Sequence, residues 1–256
     1  MRIVIIGAGN VATHLAKALD NKHDIIQVYS KELANAQTLA KLLKNASYTD
    51  TLSHISQDAD LYIISVKDDA IKDIVSEIKF DSGIWVHTSG SVAIDIFATS
   101  FSNYGVLYPL QTFSKDVEVN ISEIPFFIEG NKKANTTKIE DVARALSNQV
   151  LYADSSQRKS LHIAAVFGCN FVNHLWTQAD EILHDAGYEF DILVPLIKAT
   201  LNKAALISPI EGQTGPARRG DKNIMQSHEQ MLPPSKAKLY NILSQSIINK
   251  YNNRNE

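Results

Sequence analysis

A glycine pattern near the amino terminus contains the residue types best suited to bind a phosphate. Gly7-Ala8-Gly9-Asn10-Val11-Ala12 follows the apolar run Arg2 to Ile6 and precedes apolar residues at helical spacing. In a strand–turn–helix unit, the first glycine permits the tight turn, the second lets the backbone approach a pyrophosphate, and a small third residue lets helix and strand pack. Free amides at a helix start attract anions. We therefore expect a dinucleotide at Gly7, Ala8, Gly9, Asn10 and Val11, the alternative being a glycine turn without a ligand.

The end of the next apolar run indicates which dinucleotide to expect. Residues 24–30 are predicted to form a strand that ends in Tyr29-Ser30-Lys31. Enzymes that prefer NAD usually carry an acid there for the ribose 2′-hydroxyl, whereas a 2′-phosphate suits a hydroxyl and a cation. Charge-assisted hydrogen bonds contribute about 1.5–3 kcal/mol each. Ser30 and Lys31 therefore favour NADP(H) over NAD(H), unless Ser30 only caps the following helix and Lys31 is solvated.

Two later strand ends carry small or polar residues suited to the same crevice. The buried run 60–66 ends near the first glycine turn in a doubly wound sheet, so Val66, Lys67 and Asp68 should border the cofactor. Asp68 could equally be only the amino-terminal cap of the next helix. The run 84–87 ends in Thr88-Ser89-Gly90-Ser91, which places Ser89 beside the same ligand.

A polar stripe marks one face of a long predicted helix in the second half of the chain. Asn170, His174, Thr177 and Glu181 recur at i, i+4, i+7 and i+11. Burying such groups without partners costs about 1–3 kcal/mol each, so the stripe needs polar neighbours. At a cleft between domains, Asn170 would hold a carbonyl or imine group and His174 would deliver the proton that accompanies hydride transfer. A solvated or dimer-facing stripe is the alternative.

A basic turn lies further along the chain. Arg218 and Arg219 stand beside two glycines, and His228 follows in a short predicted helix. Arginine binds carboxylates in a bidentate fashion, so these three residues suit an anion clamp for a substrate carboxylate. A structural turn held by pairing of an arginine with Asp221 is the alternative.

Two polar residues end strands where a nicotinamide ring should lie. His87 and Gln111 could each contact substrate, and His87 is a third candidate for catalysis. A buried, hydrogen-bonded histidine is the favoured alternative for His87. No metal is expected, because the remaining histidines show no ligand spacing and Cys169 is the single cysteine.

The pattern of apolar residues predicts an α/β domain followed by an all-α domain. Strands alternate with helices up to residue 152, which indicates a doubly wound, mostly parallel sheet. We expect a dinucleotide-binding domain over 1–154 and a helical substrate and dimerisation domain over 155–256. Its first helix is about thirty residues long and has few partners, which favours a homodimer through this domain. The predicted helices include 32–45, 70–78, 133–147, 161–186, 191–207 and 235–250.

Composition excludes several classes of partner. The 256 residues are 45% hydrophobic and carry a net charge of −3. That charge gives no general attraction to nucleic acid or to an acidic membrane surface. No apolar run is long enough to span a bilayer, and one cysteine fits a reducing compartment. We therefore expect a cytoplasmic, soluble protein with a small-molecule substrate.

These motifs together resemble the 6-phosphogluconate dehydrogenase superfamily, which includes pyrroline-5-carboxylate reductase, 3-hydroxyisobutyrate dehydrogenase, ketopantoate reductase and the deazaflavin-dependent NADP reductases. The resemblance depends on the glycine pattern, on residues 63–71 and on the helical second half. Within that superfamily the chain is similar to an uncharacterised bacterial Rossmann-like family with a carboxyl-terminal domain of unknown function. The segments that carry this second resemblance are His87 to Gly90, Tyr108 to Phe113, and Thr214 to Asp221 with His228.

The resemblance implies a nicotinamide-dependent oxidoreductase. The family's 3-hydroxyacid dehydrogenases have a catalytic lysine four residues before an asparagine, but Val166 stands four residues before Asn170. The hydroxyacid mechanism therefore does not carry over. We expect hydride transfer between NADP(H) and a small, anionic carbonyl or imine substrate. A non-catalytic protein that binds NADP(H) as a sensor or regulator is the alternative.

Overall fold

One mixed sheet forms the centre of the computed structural model, which describes residues 1–252. The strands are β1 (Arg2–Ile6), β2 (Asp24–Tyr29), β3 (Ser47–Thr49), β4 (Leu61–Ile64), β5 (Ile84–His87), β6 (Tyr104–Pro109), β7 (Phe126–Gly130) and β8 (Val150–Tyr152). Their order is β3-β2-β1-β4-β5-β6-β7-β8. Every neighbouring pair is parallel except β6 and β7. The predicted doubly wound, mostly parallel sheet is confirmed.

Helices fill the connections between strands and most of the chain after the sheet. The first four are α1 (Asn10–Leu19), α2 (Leu33–Ala40), α3 (Asp68–Glu77) and α4 (Lys133–Leu146). After the last strand come α5 (Ser155–Ala165), α6 (Phe171–Asp185), α7 (Val194–Ile207), α8 (Pro216–Arg219), α9 (Lys222–Met231) and α10 (Pro234–Asn252). Over the described residues no strand follows β8, so the predicted helical second half is also confirmed.

Alternating residues of the central strands supply two separate hydrophobic cores. Ile3 and Ile5 of β1 pack in a cluster with buried residues of α1, α2 and α4. Val4 and Ile6 pack on the opposite face with residues of α3 and with Trp85. Successive side chains of a strand point to opposite faces, so an uninterrupted apolar strand needs helices on both sides. Each fully buried side chain contributes about 1.5–3 kcal/mol, which fixes the register of β1.

The one antiparallel pair has a simple cause. Residues 110–125 join β6 to β7 without an α-helix, containing only a short 3-10 turn at Ile121–Glu123. A parallel neighbour needs a crossover connection, usually a helix, whereas an antiparallel neighbour does not. The chain therefore turns back along β6, and the loop leaves the carboxyl end of that strand.

Several elements differ from the sequence predictions. The predicted helix over 32–45 ends at Ala40, and an edge strand that the pattern did not predict, β3, begins at Ser47. The predicted helix over 161–186 is divided by a five-residue π-helix, Val166–Asn170. Gly168 lies in that segment and has low helix propensity. The expected stop is confirmed, because α6 ends at Asp185 and Gly187 has a φ of +82°.

The described contacts divide the chain into two compact units. The first is Met1–Asn170 and includes the whole sheet with α1 to α5, and the second begins at Phe171. The domain boundary expected between residues 154 and 155 stays a prediction. None of the helices over residues 1–252 is both long and apolar enough to cross a membrane.

Candidate functional site

A large cavity opens at the carboxyl edge of the parallel strands, within the first unit. Its volume is about 1340 Å³, and residues that follow β1, β2, β4, β5 and β6 line it together with residues of α5 and the π-helix. β1 and β4 are neighbours from which the sheet grows in opposite directions. Ligands of doubly wound folds bind at such a switch point. The cavity therefore lies where the sequence pattern placed the dinucleotide.

The two glycines of the predicted turn have different environments. Gly7 has a φ of +123°, and its N–H donates to the carbonyl of Tyr29 at 2.8 Å. A Cβ at this position would overlap the carbonyl oxygen of Ser65. Gly9 has an ordinary φ of −80°, and a Cβ there would have no atom within 4 Å. Gly7 is thus required by the fold, whereas Gly9 leaves open space above the turn.

The amino terminus of α1 presents uncapped backbone amides to this space. Gly9 is the N-cap and supplies no side-chain hydrogen bond, and the first turn contains no acid. The side chain of Asn10 is occupied, because its Nδ2 donates to the carbonyl of Phe113 at 2.8 Å. Ala8, Asn10 and Val11 line the cavity. An anionic group fits here, since backbone donors and the positive end of the helix dipole favour negative charge.

The end of β2 forms one extremity of the cavity. Tyr29, Ser30 and Lys31 line it. The N-cap of α2 is Glu32, so Ser30 does not cap that helix, and its backbone N–H donates to Thr49 at 3.1 Å. Lys31 is exposed. No side-chain hydrogen bond or ion pair within residues 1–252 occupies the Ser30 hydroxyl or the Lys31 ammonium, so both are available to a phosphate.

Acidic residues also lie at this extremity. Asp73 and Glu77 of α3 line the same cavity. Burial, followed by the negative charge of Glu77, raises the pKa of Tyr29. This extremity therefore carries both a cation, Lys31, and two carboxylates.

Residues that follow the neighbouring strands β4 and β5 line the same cavity. Val66, Lys67, Asp68 and Ser89, which the sequence predicted to border the cofactor, line it together with Ser65, and their role in binding stays a prediction. The N-cap of α3 is Lys67, so Asp68 is the first helical residue and not the cap. The hydroxyl of Ser89 accepts the N–H groups of residues 91 and 92, at 3.0 Å each. Its side chain therefore shapes the loop after β5.

Two residues predicted to contact substrate also line the cavity. Gln111 follows β6, and its Oε1 accepts the N–H of Thr112 at 2.7 Å. Asn170 is exposed at the end of the π-helix. Single-turn π-helices occur frequently at functional sites. The structure thus brings Asn170 to the same space as the glycine turn, although its role stays a prediction.

His87 lies outside the lining of the cavity. Its side chain is 0% exposed, and Nδ1 accepts the N–H of Ser89 at 3.2 Å. Burial, with a smaller effect from the charge of Arg158, lowers the pKa of His87 to about 3. These features fit the alternative interpretation of a buried, hydrogen-bonded histidine that orders the loop after β5. The catalytic role of His87 stays a prediction that this burial does not favour.

The remaining predicted residues belong to the second unit. His174 is exposed on α6. Arg219 pairs with Asp221 at 2.7 Å, as the structural interpretation of the basic turn expected. Arg218 lies 4.3 Å above the ring of Tyr251. His228 shares a hydrogen bond of 3.0 Å with the hydroxyl of Tyr240. Their proposed part in substrate binding stays a prediction.

Sequence reasoning missed a polar pair inside the cavity. Tyr108 at the end of β6 and His162 of α5 both line it, and the Tyr108 hydroxyl lies 3.1 Å from Nδ1 of His162. Tyr108 entered the sequence analysis only through the family resemblance, and His162 only as a histidine without metal-ligand spacing. The two are 54 residues apart, so no local pattern could pair them. Over residues 1–252, no group of three or more histidine, cysteine or acidic residues could hold a metal ion.

Two family models match parts of the chain. Residues 2–98 match the model of the family described as NADP oxidoreductase, coenzyme F420-dependent. Residues 124–247 match a domain of unknown function, DUF2520. No curated protein matches this chain.

Solved structures include relatives that cover almost the whole chain. A Bacteroides fragilis protein described as a candidate NADP oxidoreductase is 45% identical, covering 97% of this chain and 98% of its own, with a TM-score of 0.90. A Thermotoga maritima protein is 20% identical, covering 96% and 97%, with a TM-score of 0.79. An Aspergillus terreus reductive aminase, in complex with NADPH and ethyl-5-oxohexanoate, is 17% identical, covering 97% and 94%, with a TM-score of 0.74. The last two show the fold alone.

Proposed function

Because the chain belongs to a family of NADP oxidoreductases, we propose that it transfers hydride between NADP(H) and a small, anionic carbonyl or imine compound. The observation that carries this proposal is the cavity itself. It contains Gly7, Gly9, Lys31 and Asp68 together with Asn170. When bound, the nicotinamide cofactor supplies or accepts the hydride, and the protein supplies binding, orientation and a proton donor.

The chain's residues fit the cofactor in a definite order along the sheet. The amides at the start of α1 would hold the pyrophosphate, since Gly9 leaves that space open. Ser30 and Lys31 would hold the 2′-phosphate at the end of β2. The ends of β5 and β6 then remain for the nicotinamide half, because they lie on the other side of β1 from β2.

The preference for NADP(H) depends on Lys31. A hydrogen bond to a charged group contributes about 1.5–3 kcal/mol, so losing it weakens binding roughly tenfold or more. We expect Lys31→Glu to weaken NADPH binding at least tenfold and to leave NADH binding almost unchanged, as measured by calorimetric titration. Lys41→Glu is the matched control, because Lys41 is exposed and outside the cavity.

The outcomes of this titration separate the alternatives. Wild-type protein that binds NADH as tightly as NADPH would contradict the cofactor preference. If Lys31→Glu and Lys41→Glu change the NADPH affinity equally, Lys31 does not contact the cofactor. Absence of binding of either dinucleotide would contradict the proposed function as a whole.

The substrate class is supported by chemistry at the other end of the cavity. Asn170 offers an amide to a carbonyl or imine group, and His174 is the proton donor that the sequence pattern predicts. We propose that Arg218, Arg219 and His228 contribute an anion clamp. The fold is shared with a reductive aminase, so amines with ketones belong in the same panel as oxo acids and aldehydes. Turnover lost in both Asn170→Ala and His174→Ala supports these roles. Tight NADPH binding with no turnover of any compound in the panel would favour the alternative of a non-catalytic sensor or regulator.

We also propose a homodimer through the helical region. The second unit buries few side chains, although exposed leucine, isoleucine and tryptophan residues occur along its helices. Among its described residues, the buried ones are Ala217, Met225, Ser244 and Tyr251. Small domains need a hydrophobic core, and large exposed apolar area commonly marks an interface. A second copy of the chain would supply the missing burial.

A further inference from the structure

We propose that His162, held by Tyr108, is the proton donor of the reaction. It would transfer a proton from Nε2 to the carbonyl oxygen or imine nitrogen of the substrate. This inference rests on the proposed function, because it assigns a residue to the hydride-transfer step. It differs from the sequence-based assignment, which gave that step to His174.

Two neighbours fix the position of the His162 ring. The Tyr108 hydroxyl lies 3.1 Å from Nδ1, and the two rings meet edge to face with centroids 6.1 Å apart. A Cβ on Gly90 would lie 2.8 Å from Cβ, Cγ and Nδ1 of His162, so the absence of a side chain at Gly90 lets the loop contact the imidazole. The ring is therefore held between β6 and the loop after β5.

The loop that contacts His162 is itself anchored. Arg158, one helical turn earlier on α5, is 0% exposed and donates to the carbonyls of Ser89 at 3.2 Å and Val92 at 2.6 Å. It also pairs with Glu129 at 2.5 Å. A guanidinium in this buried setting holds the residues on both sides of Gly90, so the approach of the loop to the imidazole is fixed.

The pair lies at the expected nicotinamide end of the cavity. Strand β6 is three places from β1, on the side opposite β2. Neighbouring strands are about 4.8 Å apart, which places the end of β6 roughly 14 Å from the end of β1. This distance separates the pair from the pyrophosphate position, and Ser89, Gln111 and Asn170 line the same cavity as the pair.

His162 suits the step better than the phenol of its partner, Tyr108. It is the one histidine among the described residues that line the cavity. Burial raises the pKa of Tyr108 to about 12, an effect that Arg158 opposes and Asp68 increases. The phenol therefore stays protonated and neutral, and it acts through its hydrogen bond to Nδ1. Tyr108 is thus a positioning residue.

The proposed step balances. In the imidazolium form, Nδ1–H would donate to the Tyr108 oxygen, and Nε2 would carry the proton that is transferred to the substrate. Bound NADPH would supply the hydride to the substrate carbon, and the electron pair of the broken C=O or C=N π bond would take the proton from Nε2 of His162. An alcohol or amine and NADP⁺ would result, and the neutral imidazole would regain a proton from solvent.

The test uses the histidine resonances of the whole protein, so it does not need a known substrate. We expect saturating NADPH to shift the His162 signals, identified by their loss in His162→Gln. The fragment 2′,5′-ADP, which lacks nicotinamide, should leave them unchanged. His23 is the control, because it precedes β2 at the amino edge of the sheet. In Tyr108→Phe, the Nδ1 nitrogen signal should move as its hydrogen bond is lost.

Failure of this inference is distinguishable from failure of the proposed function. If NADPH does not bind, both the role of His162 and the proposed function are contradicted. If NADPH binds and His162 does not respond, or responds equally to 2′,5′-ADP, only the role of His162 is overturned. For the best substrate in the panel, His162→Gln should lower turnover at least 100-fold while the Kd for NADPH stays within threefold; unchanged turnover would also overturn it.

Discussion

At the scale of the residue, the glycine turn separates structural from ligand-binding requirements. Gly7 has a left-handed φ and no room for a Cβ, whereas Gly9 has an ordinary φ and open space. The same tripeptide therefore contains one residue that the fold needs and one that a ligand would need. This contrast allows the two requirements to be tested by matched substitutions.

Alanine should chiefly lower stability at Gly7 and chiefly weaken NADPH binding at Gly9. Gly7→Ala should lower the free energy of unfolding by about 2–4 kcal/mol, because it combines backbone strain with overlap on Ser65. Gly9→Ala should change it by less than about 1 kcal/mol, but should weaken NADPH binding several-fold by obstructing the approach of the pyrophosphate. Urea unfolding and fluorescence titration measure the two effects. Gly9→Ala with unchanged NADPH affinity would contradict the placement of the pyrophosphate.

His87 makes a second prediction, on acid stability. Its folded pKa is about 3, below the ordinary value of 6.5, so the unfolded chain binds the proton first as pH falls. Stability from this group is present above about pH 6.5 and is lost progressively down to about pH 3. The loss amounts to about 1.4 kcal/mol per pH unit. Between pH 6 and 4, wild-type protein should lose stability more steeply than His87→Gln in denaturant titrations, and parallel slopes would contradict this account.

At the scale of the element, α5 is tied to the sheet through one buried cation. Arg158 bonds to Glu129 of β7 and to two carbonyls of the loop after β5. A guanidinium makes these bonds in several directions at once, which a lysine ammonium cannot reproduce. The orientation of His162, on the next turn of the same helix, therefore depends on Arg158.

Replacing this arginine should destabilise the folded protein even when the positive charge is kept. Arg158→Lys should lower the free energy of unfolding by about 2–4 kcal/mol, since a buried pair would lose partners. Arg144→Lys is the matched control, because Arg144 pairs with Glu140 on the exposed face of α4 and should change stability by less than about 1 kcal/mol. Equal effects in urea unfolding would show that Arg158 is not the anchor.

Local patterns predicted most elements and missed those that depend on distant contacts. The apolar run and glycines of residues 2–12 specify β1, the turn and the start of α1 by short-range chemistry. Strand β3 has three residues and exists because it pairs with β2. The π-helix interrupts the α-helix predicted over 161–186, although the helical spacing of apolar residues continues through it. The contact of Tyr108 with His162 joins β6 to α5, so it follows from the fold and not from spacing.

At the scale of the whole molecule, the two units differ in how they are stabilised. The first has two large buried clusters on the faces of its sheet. The second buries only a few of its described side chains. Folded proteins stabilise helices chiefly by burying an apolar face. The second unit accordingly motivates the proposed homodimer.

Light scattering after size-exclusion chromatography measures the assembly directly. We expect twice the mass of the chain at micromolar concentration, and unfolding that becomes more difficult as protein concentration rises, because association stabilises the folded state. A monomer whose stability does not depend on concentration would contradict the homodimer.

Binding of a dinucleotide at the carboxyl edge of the sheet is the central claim, and hydrogen–deuterium exchange with saturating NADPH tests it most directly. Exchange should slow in peptides that contain residues 7–13, 30–31, 65–68 and 88–90, because bound phosphate and nicotinamide would protect these amides. Peptides at the amino edge, such as residues 20–24, should not change. Unchanged exchange in residues 7–13 under saturating NADPH would contradict the central claim.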